Sequence, residues 1–218
     1  METIEITQSP TDTREDVRAE IIARARDLFA HYGYSKTNIG DIAQGCGMSP
    51  GNLYRYFRNK QAIGIAVVEC FMHEEEERAD AALALGDRSN TTSFEQRLRT
   101  VITEGVMHTV EHLRQSPKIV ELAEMICDCD EGVDMIRAHV ESRFALLRGI
   151  ILDGVSAGEF RSPDVDAAAR AVQMGTKFFH VPFAIARHGL DRVEEDLAVT
   201  LDLLCAGLRA GDGGAQAR

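Results

Sequence analysis

The stretch Thr37-Asn-Ile-Gly-Asp-Ile-Ala-Gln-Gly-Cys-Gly-Met-Ser-Pro-Gly-Asn-Leu-Tyr-Arg-Tyr-Phe-Arg-Asn-Lys60 decides the fold, because it spells two short helices, a glycine turn and an aromatic, basic surface. Ile39, Ile42, Ala43 and Cys46 recur at helical spacing, Thr37 precedes them as a hydroxyl N-cap, and Gly45 and Gly47 bracket the stop. The spacing predicts a first helix of barely two turns. Ser49 supplies a second N-cap oxygen and Pro50 takes the first helical position, where its missing N–H costs nothing, so a second helix starts there. Leu53 and Phe57 form its inward stripe. Asn52, Tyr54, Arg55 and Tyr56 then project from the other faces, and Gly51 lets the backbone approach a partner closely. Such a surface suits the major groove of duplex DNA.

Upstream, Val17, Ile21, Ala25, Leu28 and Phe29 fall on one stripe of a longer helix ending near Gly33, which supplies the third helix that a helix-turn-helix needs for a core. Together with Gly33-Tyr34, Thr37, Ile42-Ala43, Gly47-Met-Ser and Leu53-Tyr-x-Tyr-Phe-x-x-Lys60, the pattern over residues 14 to 65 resembles the TetR family of bacterial transcriptional regulators. A Gly158-Glu-Phe160 segment farther along is familiar from many members. The resemblance implies that Thr37, Tyr54 and Lys60 bind DNA phosphates while Asn52, Tyr56 and Arg55 face the bases or the groove wall, and that Lys60 opens a fourth helix. Ser49 and Gly51 complete the expected DNA-binding set. Gly40 departs from the family pattern, where a base-reading side chain often stands, so base reading should rest more on the second helix.

The net charge of −11 looks hostile to nucleic acid until it is split. Residues 1 to 65 hold eight basic and eight acidic side chains, and the remaining sixteen basic and twenty-seven acidic ones carry all of the −11. Within 33 to 60, Lys36, Arg55, Arg58 and Lys60 oppose only Asp41, which leaves a local basic face on an acidic protein. A length of 218 residues with 44% hydrophobic composition gives an ordinary globule with ample core. No signal peptide or membrane-length apolar run is read, and five cysteines without a paired framework predict reduced thiols, hence a cytoplasmic protein without membrane partners.

The expected architecture is all-α: an N-terminal three-helix helix-turn-helix DNA-binding domain plus a larger helical-bundle domain for ligand binding and dimerisation. Its bounds are a disordered arm over 1–13, the DNA-binding domain over 14–62, the helical body over 63–209 and a flexible tail over 210–218. His73-Glu-Glu-Glu-Glu-Arg78 reads as a solvated helix surface, and Gly86-Asp-Arg-Ser-Asn-Thr-Thr-Ser93 as a linker. Helices are expected at about 94 to 115, 118 to 128, 131 to 157, 165 to 188 and 191 to 209. In the last, Val193, Leu197, Leu201, Leu204 and Leu208 form a stripe, and Ala167, Ala168, Ala171, Val172 and Gly175 make a small-residue face on the helix before it. The two could build a four-helix homodimer seam or close the monomer's own core, and the family resemblance favours the dimer.

Met174-Gly-Thr-Lys-Phe-Phe-His-Val-Pro-Phe183 should kink at Pro182 beside phenylalanines. Phe178, Phe179, His180 and Phe183, with Met107, His108, Met125 and Phe144, then line a pocket for a small, largely apolar effector or fill plain core; the resemblance raises the pocket reading. His108 and His112, four apart, and Cys127-Asp-Cys129 offer soft-metal donors at weakly specific spacing, so no metal or cofactor is expected. Enzyme motifs are absent: there is no Gly-x-Ser-x-Gly, phosphate loop, dinucleotide fingerprint or His-Glu-x-x-His. A purely protein-binding adaptor would leave Tyr54, Tyr56 and Lys60 without purpose. The resulting expectation is a homodimeric, ligand-responsive repressor on a palindromic double-stranded operator; similar proteins that activate transcription or answer to no ligand are the alternative.

Overall fold

A computed structural model describes residues 14–87 and 92–209; the arm over 1–13, the tail over 210–218 and linker residues 88–91 lie outside them. Helix α1 (Arg14–Tyr32) buries Ile21, Ile22, Ala25 and Phe29. α2 (Ile39–Gly45) follows, but its N-cap is Asn38 rather than Thr37: the Asn38 side chain accepts from the Asp41 N–H at 3.0 Å, and Asp41 returns the bond to the Asn38 N–H at 2.8 Å. A capping box outcompetes a lone hydroxyl because it satisfies two orphan donors. Thr37 turns inward, 2% exposed, and its hydroxyl donates to the Gly33 carbonyl at 2.9 Å. The chain then reverses at Gly47, whose φ of +63° is natural only to glycine. α3 (Pro50–Leu53) starts as expected, with the Ser49 oxygen accepting from the Asn52 N–H at 3.2 Å and Pro50 in the first turn.

α4 (Lys60–Asp87) serves two cores. Near its start, Ile63, Ala66 and Val67 join Ile21, Phe29, Ile42 and Leu53 in a first apolar cluster, and farther along Ala79 enters a second one. That second core is built by α5 (Phe94–Gln115), α7 (Asp130–Ser156), α8 (Val165–Thr176), α9 (Pro182–His188) and α10 (Val193–Leu208). The short α6 (Ile119–Cys127) bridges the two, for its Leu122 is buried in the first cluster while Ile119 packs on the second.

The helix expected over 165 to 188 breaks after Thr176 into a 3₁₀ turn, Lys177–His180, and restarts at Pro182, which cannot donate into a continuous ladder. The Gly158-Glu-Phe160 segment gains a structural meaning: Gly158, at φ +78°, ends α7, and Phe160 fills the second core. Between them, the Glu159 carboxylate accepts from the Phe94 and Glu95 N–H groups at 2.9 and 2.7 Å, capping α5. Among the described residues, the only extended pairing is an isolated antiparallel bridge between Phe160 and Arg209.

Two expectations are corrected by packing. Of the stripe, Val193, Leu197, Leu201 and Leu208 are buried inside the chain's own core and Leu204 is half-buried, while Met174, Val199 and Leu203 are the large apolar residues that α8 and α10 leave exposed, with Ala167, Ala171 and Gly175 of the small-residue face also exposed. Likewise the acidic run on α4 is not all solvated. Glu75 is 8% exposed and meets His139 and His180 at 3.6 Å each, because helical geometry turns one member of four consecutive acids toward the core.

Candidate nucleic-acid interface and effector region

α3 is anchored by Leu53, fully buried, and by Phe57 in the turn that follows. With that stripe fixed, Tyr54 stands 53% exposed, Arg55 is exposed, Asn52 is half-buried, and Tyr56 is half-buried against the first core. A Cβ at Gly51 would meet nothing nearer than the Ser49 hydroxyl at 4.0 Å, so internal packing does not require glycine there. A Cβ at Gly40 would already sit 3.0 Å from the Asn38 cap oxygen, so a side chain there would press on the capping box.

Thr37 and Lys60 are placed differently from Tyr54. The Thr37 side chain is occupied inside the α1–α2 corner. Lys60 opens α4, yet its ammonium donates to the carbonyl oxygens of Tyr34 and Thr37, both at 2.9 Å, and lies 4.2 Å from the Tyr34 ring centre. Burial lowers its pKa. Arg58 reaches away from the cluster to pair with Glu131 at the start of α7, so the free positive charge of this face resides mainly in Arg55 and the exposed Lys36.

Of the eight residues expected around an effector, Met107, Phe144 and Phe179 share the second core, Phe178 lies 5.4 Å ring to ring from Phe179, and Met125 is on the first core. Met125 packs on the first core, where a Cβ at Gly64 would lie 2.7 Å from its methyl carbon. Met107 lines a groove of about 310 Å³ between α5 and α10, beside Arg99, Thr103 and Glu194. Phe178 is 40% exposed with its ring 5.3 Å from that of His188, whereas Phe179 is buried in the second core, Phe144 half-buried against it, and Phe183 half-buried on α9. His108 stacks on Phe71 at 4.4 Å.

His180 belongs to a buried polar group that sequence did not reveal. Burial pushes its pKa down to about 4, and neither ring nitrogen is hydrogen-bonded. Burial would push the Glu75 carboxyl up, but His139, His180 and Arg143 outweigh it and hold it well below the usual carboxylate range. Gly105 on α5 makes room for this group, since a Cβ there would come within 2.5 Å of the Glu75 carboxylate.

A second polar group ties the two cores together. Arg26 on α1 donates to both Glu74 oxygens on α4, one at 2.9 Å, and to the Nε2 of His112 on α5 at 2.7 Å. No spacing rule could have found it, because its members lie 48 and 86 residues from Arg26 in sequence. Beside it, Val67, Phe71, Leu113, Leu122 and Pro182 enclose a cavity of about 50 Å³ at the seam between the cores. Cys127 is exposed and Cys129 sits at the N-cap of α7, and all five cysteines are free.

A three-helix headpiece with a capped, outward-facing second helix, joined to a separate all-helical body, defines the helix-turn-helix transcriptional regulators. The comparisons with known proteins agree. Residues 21–67 match the model of bacterial regulatory proteins of the tetR family, and residues 95–199 match that of the tetracyclin repressor-like C-terminal domain. The chain belongs to the TetR family of DNA-binding transcriptional regulators.

Among similar proteins, the fatty acid metabolism regulator protein of Bacillus subtilis is 24% identical over 158 residues, spanning 72% of this chain and 77% of that one. The HTH-type transcriptional repressor KstR2 of Rhodococcus jostii is 27% identical over 169 residues, spanning 73% and 76%. A TetR/AcrR-family regulator from Thermobifida fusca superposes with a TM-score of 0.68 at 21% identity, covering 89% of this chain and 100% of the other, which shows the shared fold. No helix among the described residues is long and apolar enough to cross a membrane.

Proposed function

We propose that this regulator is a homodimeric repressor that occupies an inverted-repeat operator and leaves it when a small, largely apolar effector enters the helical body. The observation that carries the DNA half is the Ser49-capped α3, which buries Leu53 and leaves Tyr54 and Arg55 exposed, with Asn52 and Tyr56 half-exposed beside them in sequence, on an acidic protein. Asn52 and Arg55 read base edges, Tyr56 lines the groove wall, and the Tyr54 hydroxyl and the Ser49–Gly51 backbone approach the phosphates. Thr37 and Lys60 act by shaping the corner that holds α2 and α4 together.

A dimer supplies the second reading head. Met174, Val199 and Leu203, exposed by 65, 65 and 76%, with the exposed Ala167, Ala171 and Gly175, are what α8 and α10 offer to a second copy, and two recognition helices about 34–36 Å apart then require half-sites one DNA turn apart. The effector half is supported by the seam. Its cavity of about 50 Å³ falls far below the roughly 300 Å³ or more of ligand sites, so an occupant must widen it and part the headpiece from the body. A ligand preferring the widened state shifts the protein away from DNA. Phe179, His180 and Phe183, around the Pro182 break, are the residues placed to feel that widening. The relative from Rhodococcus jostii named above is a transcriptional repressor and that from Bacillus subtilis a fatty acid metabolism regulator, which supports repression and a largely apolar effector here.

Selection of genomic fragments by the purified full chain, followed by footprinting, tests the reading. Inverted repeats protected on both half-sites are expected. Fragments without dyad symmetry would overturn the dimeric operator.

A further inference from the structure

Glu74 on α4 and His108 and His112 on α5 bring one ligand atom each to within 4.8 Å of one another. The two histidines stand four apart, one above the other on the same face of the helix. The Nδ1 of His112 lies 2.9 Å from the His108 carbonyl oxygen, so Nδ1 carries the proton and Nε2 presents its lone pair outward. Proteins orient metal-binding imidazoles in this way, with one nitrogen tied to a carbonyl and the other left to ligate. His108 is 2% exposed, its Nδ1 has no hydrogen-bond partner, and its Nε2 lies 3.6 Å from Glu74. Phe71 walls both rings, at 4.4 and 4.9 Å.

A cation already lies against these donors. The Arg26 guanidinium bridges the Glu74 carboxylate and the His112 Nε2, the same two groups that a metal ion would bridge. We propose that Glu74, His108 and His112 form a site for a divalent transition-metal ion of the zinc type, which binds by displacing the Arg26 guanidinium.

Two imidazoles and a carboxylate make a three-ligand set with room for water or an exogenous ligand at the fourth position. The donor types favour zinc-like ions over magnesium or calcium, which take all-oxygen sites. Ligands at about 2.1 Å from a tetrahedral ion stand roughly 3.4 Å apart, so the present spacing must contract by little more than an ångström, within the reach of side-chain rotation once Arg26 withdraws. Metal and Arg26 exclude each other, because a guanidinium cannot stay against a carboxylate and an imidazole lone pair that a dication has taken. Metal binding therefore cuts the polar tie between α1 and the body, an effect additional to any effector in the apolar seam.

The test is titration of the chelator-treated full-length chain with Co²⁺, read by its visible absorption, and with Zn²⁺ by competition. No DNA is present, so the result does not depend on the operator reading. One Co²⁺ per chain is expected, with affinity falling more than about tenfold in Glu74→Gln and in His112→Phe. Arg26→Met should bind more tightly than wild type, since the competing cation is gone, and a gain of affinity cannot come from misfolding. Absence of stoichiometric Co²⁺ and Zn²⁺ binding in both wild type and Arg26→Met overturns the site. So does binding that survives in the His108→Phe/His112→Phe double variant, which would place the ion elsewhere on the chain.

Discussion

Lys60 holds the main-chain oxygen of Thr37 at 2.9 Å, joining the first turn of α4 to the residue that leads into α2. The same ammonium takes the Tyr34 carbonyl and stacks on the Tyr34 ring, so one side chain closes the corner on which the helix-turn-helix rests. Lys60→Ala should therefore lower the unfolding free energy by about 1–3 kcal/mol, the scale of losing hydrogen bonds from a charged donor. Urea denaturation of the two proteins measures this. Unchanged stability together with a DNA-binding salt slope reduced by about one would assign Lys60 to a phosphate instead.

Asn52 and Tyr54 should separate energetically, because base contacts specify sequence and phosphate contacts only position the protein. Asn52→Ala is expected to cost on the order of 1–3 kcal/mol on the preferred operator and to relax one base position. Tyr54→Phe removes only a hydroxyl from an exposed ring and should weaken all sequences alike. Binding-site selection with each variant reads both effects, and an unaltered preference in Asn52→Ala would remove it from base reading.

Two leucines on one helix test the proposed dimer face apart from the core. Leu203 is 76% exposed and Leu201 only 3%. Leu203→Glu should give a folded monomer with lost operator affinity, whereas Leu201→Glu buries an unpaired carboxylate and should unfold the body. Light scattering and circular dichroism distinguish the outcomes. A folded Leu203→Glu protein that remains dimeric would move the interface off α10.

Acid should destabilise the body through His180. Its pKa is about 4 in the folded chain against about 6.5 in an unfolded one, so between those values only the unfolded state takes up the proton. Stability is therefore full above about pH 6.5 and falls as pH drops toward 4, by a total on the order of 3 kcal/mol. Glu75, depressed in the folded state, continues the loss below its ordinary range. His180→Gln should flatten the profile between pH 6.5 and 5 in denaturant titrations. An equal slope in that variant would assign the pH dependence to other groups.

What sequence made legible was local. Ser49 and Pro50 announce α3, Pro182 announces the break after Thr176, and helix bounds read from periodicity lie within a residue or two of those observed for α5, α6 and α7. Competition between neighbours was harder to read, as when Asn38 with Asp41 takes the cap from Thr37. Faces were harder still. The leucine stripe of α10 has the same period whether it meets a second copy or its own core, and only tertiary packing decides that Leu201 meets its own core. Arg26 with Glu74 and His112, or Glu75 with His139 and His180, are charge pairings over long chain separations to which periodicity is blind.

α4 passes from Lys60 beside the reading head to the buried Glu75 and on to Ala79, a single rod of 28 residues and so roughly 42 Å. Rods transmit angle as distance. A tilt of about 5° at Glu75 moves the Lys60 end, some 22 Å away, by about 2 Å. Hydrogen bonds to base edges tolerate a window of only about half an ångström. On the proposed reading, a small rearrangement around Glu75 would thus be magnified into misregistry at the groove.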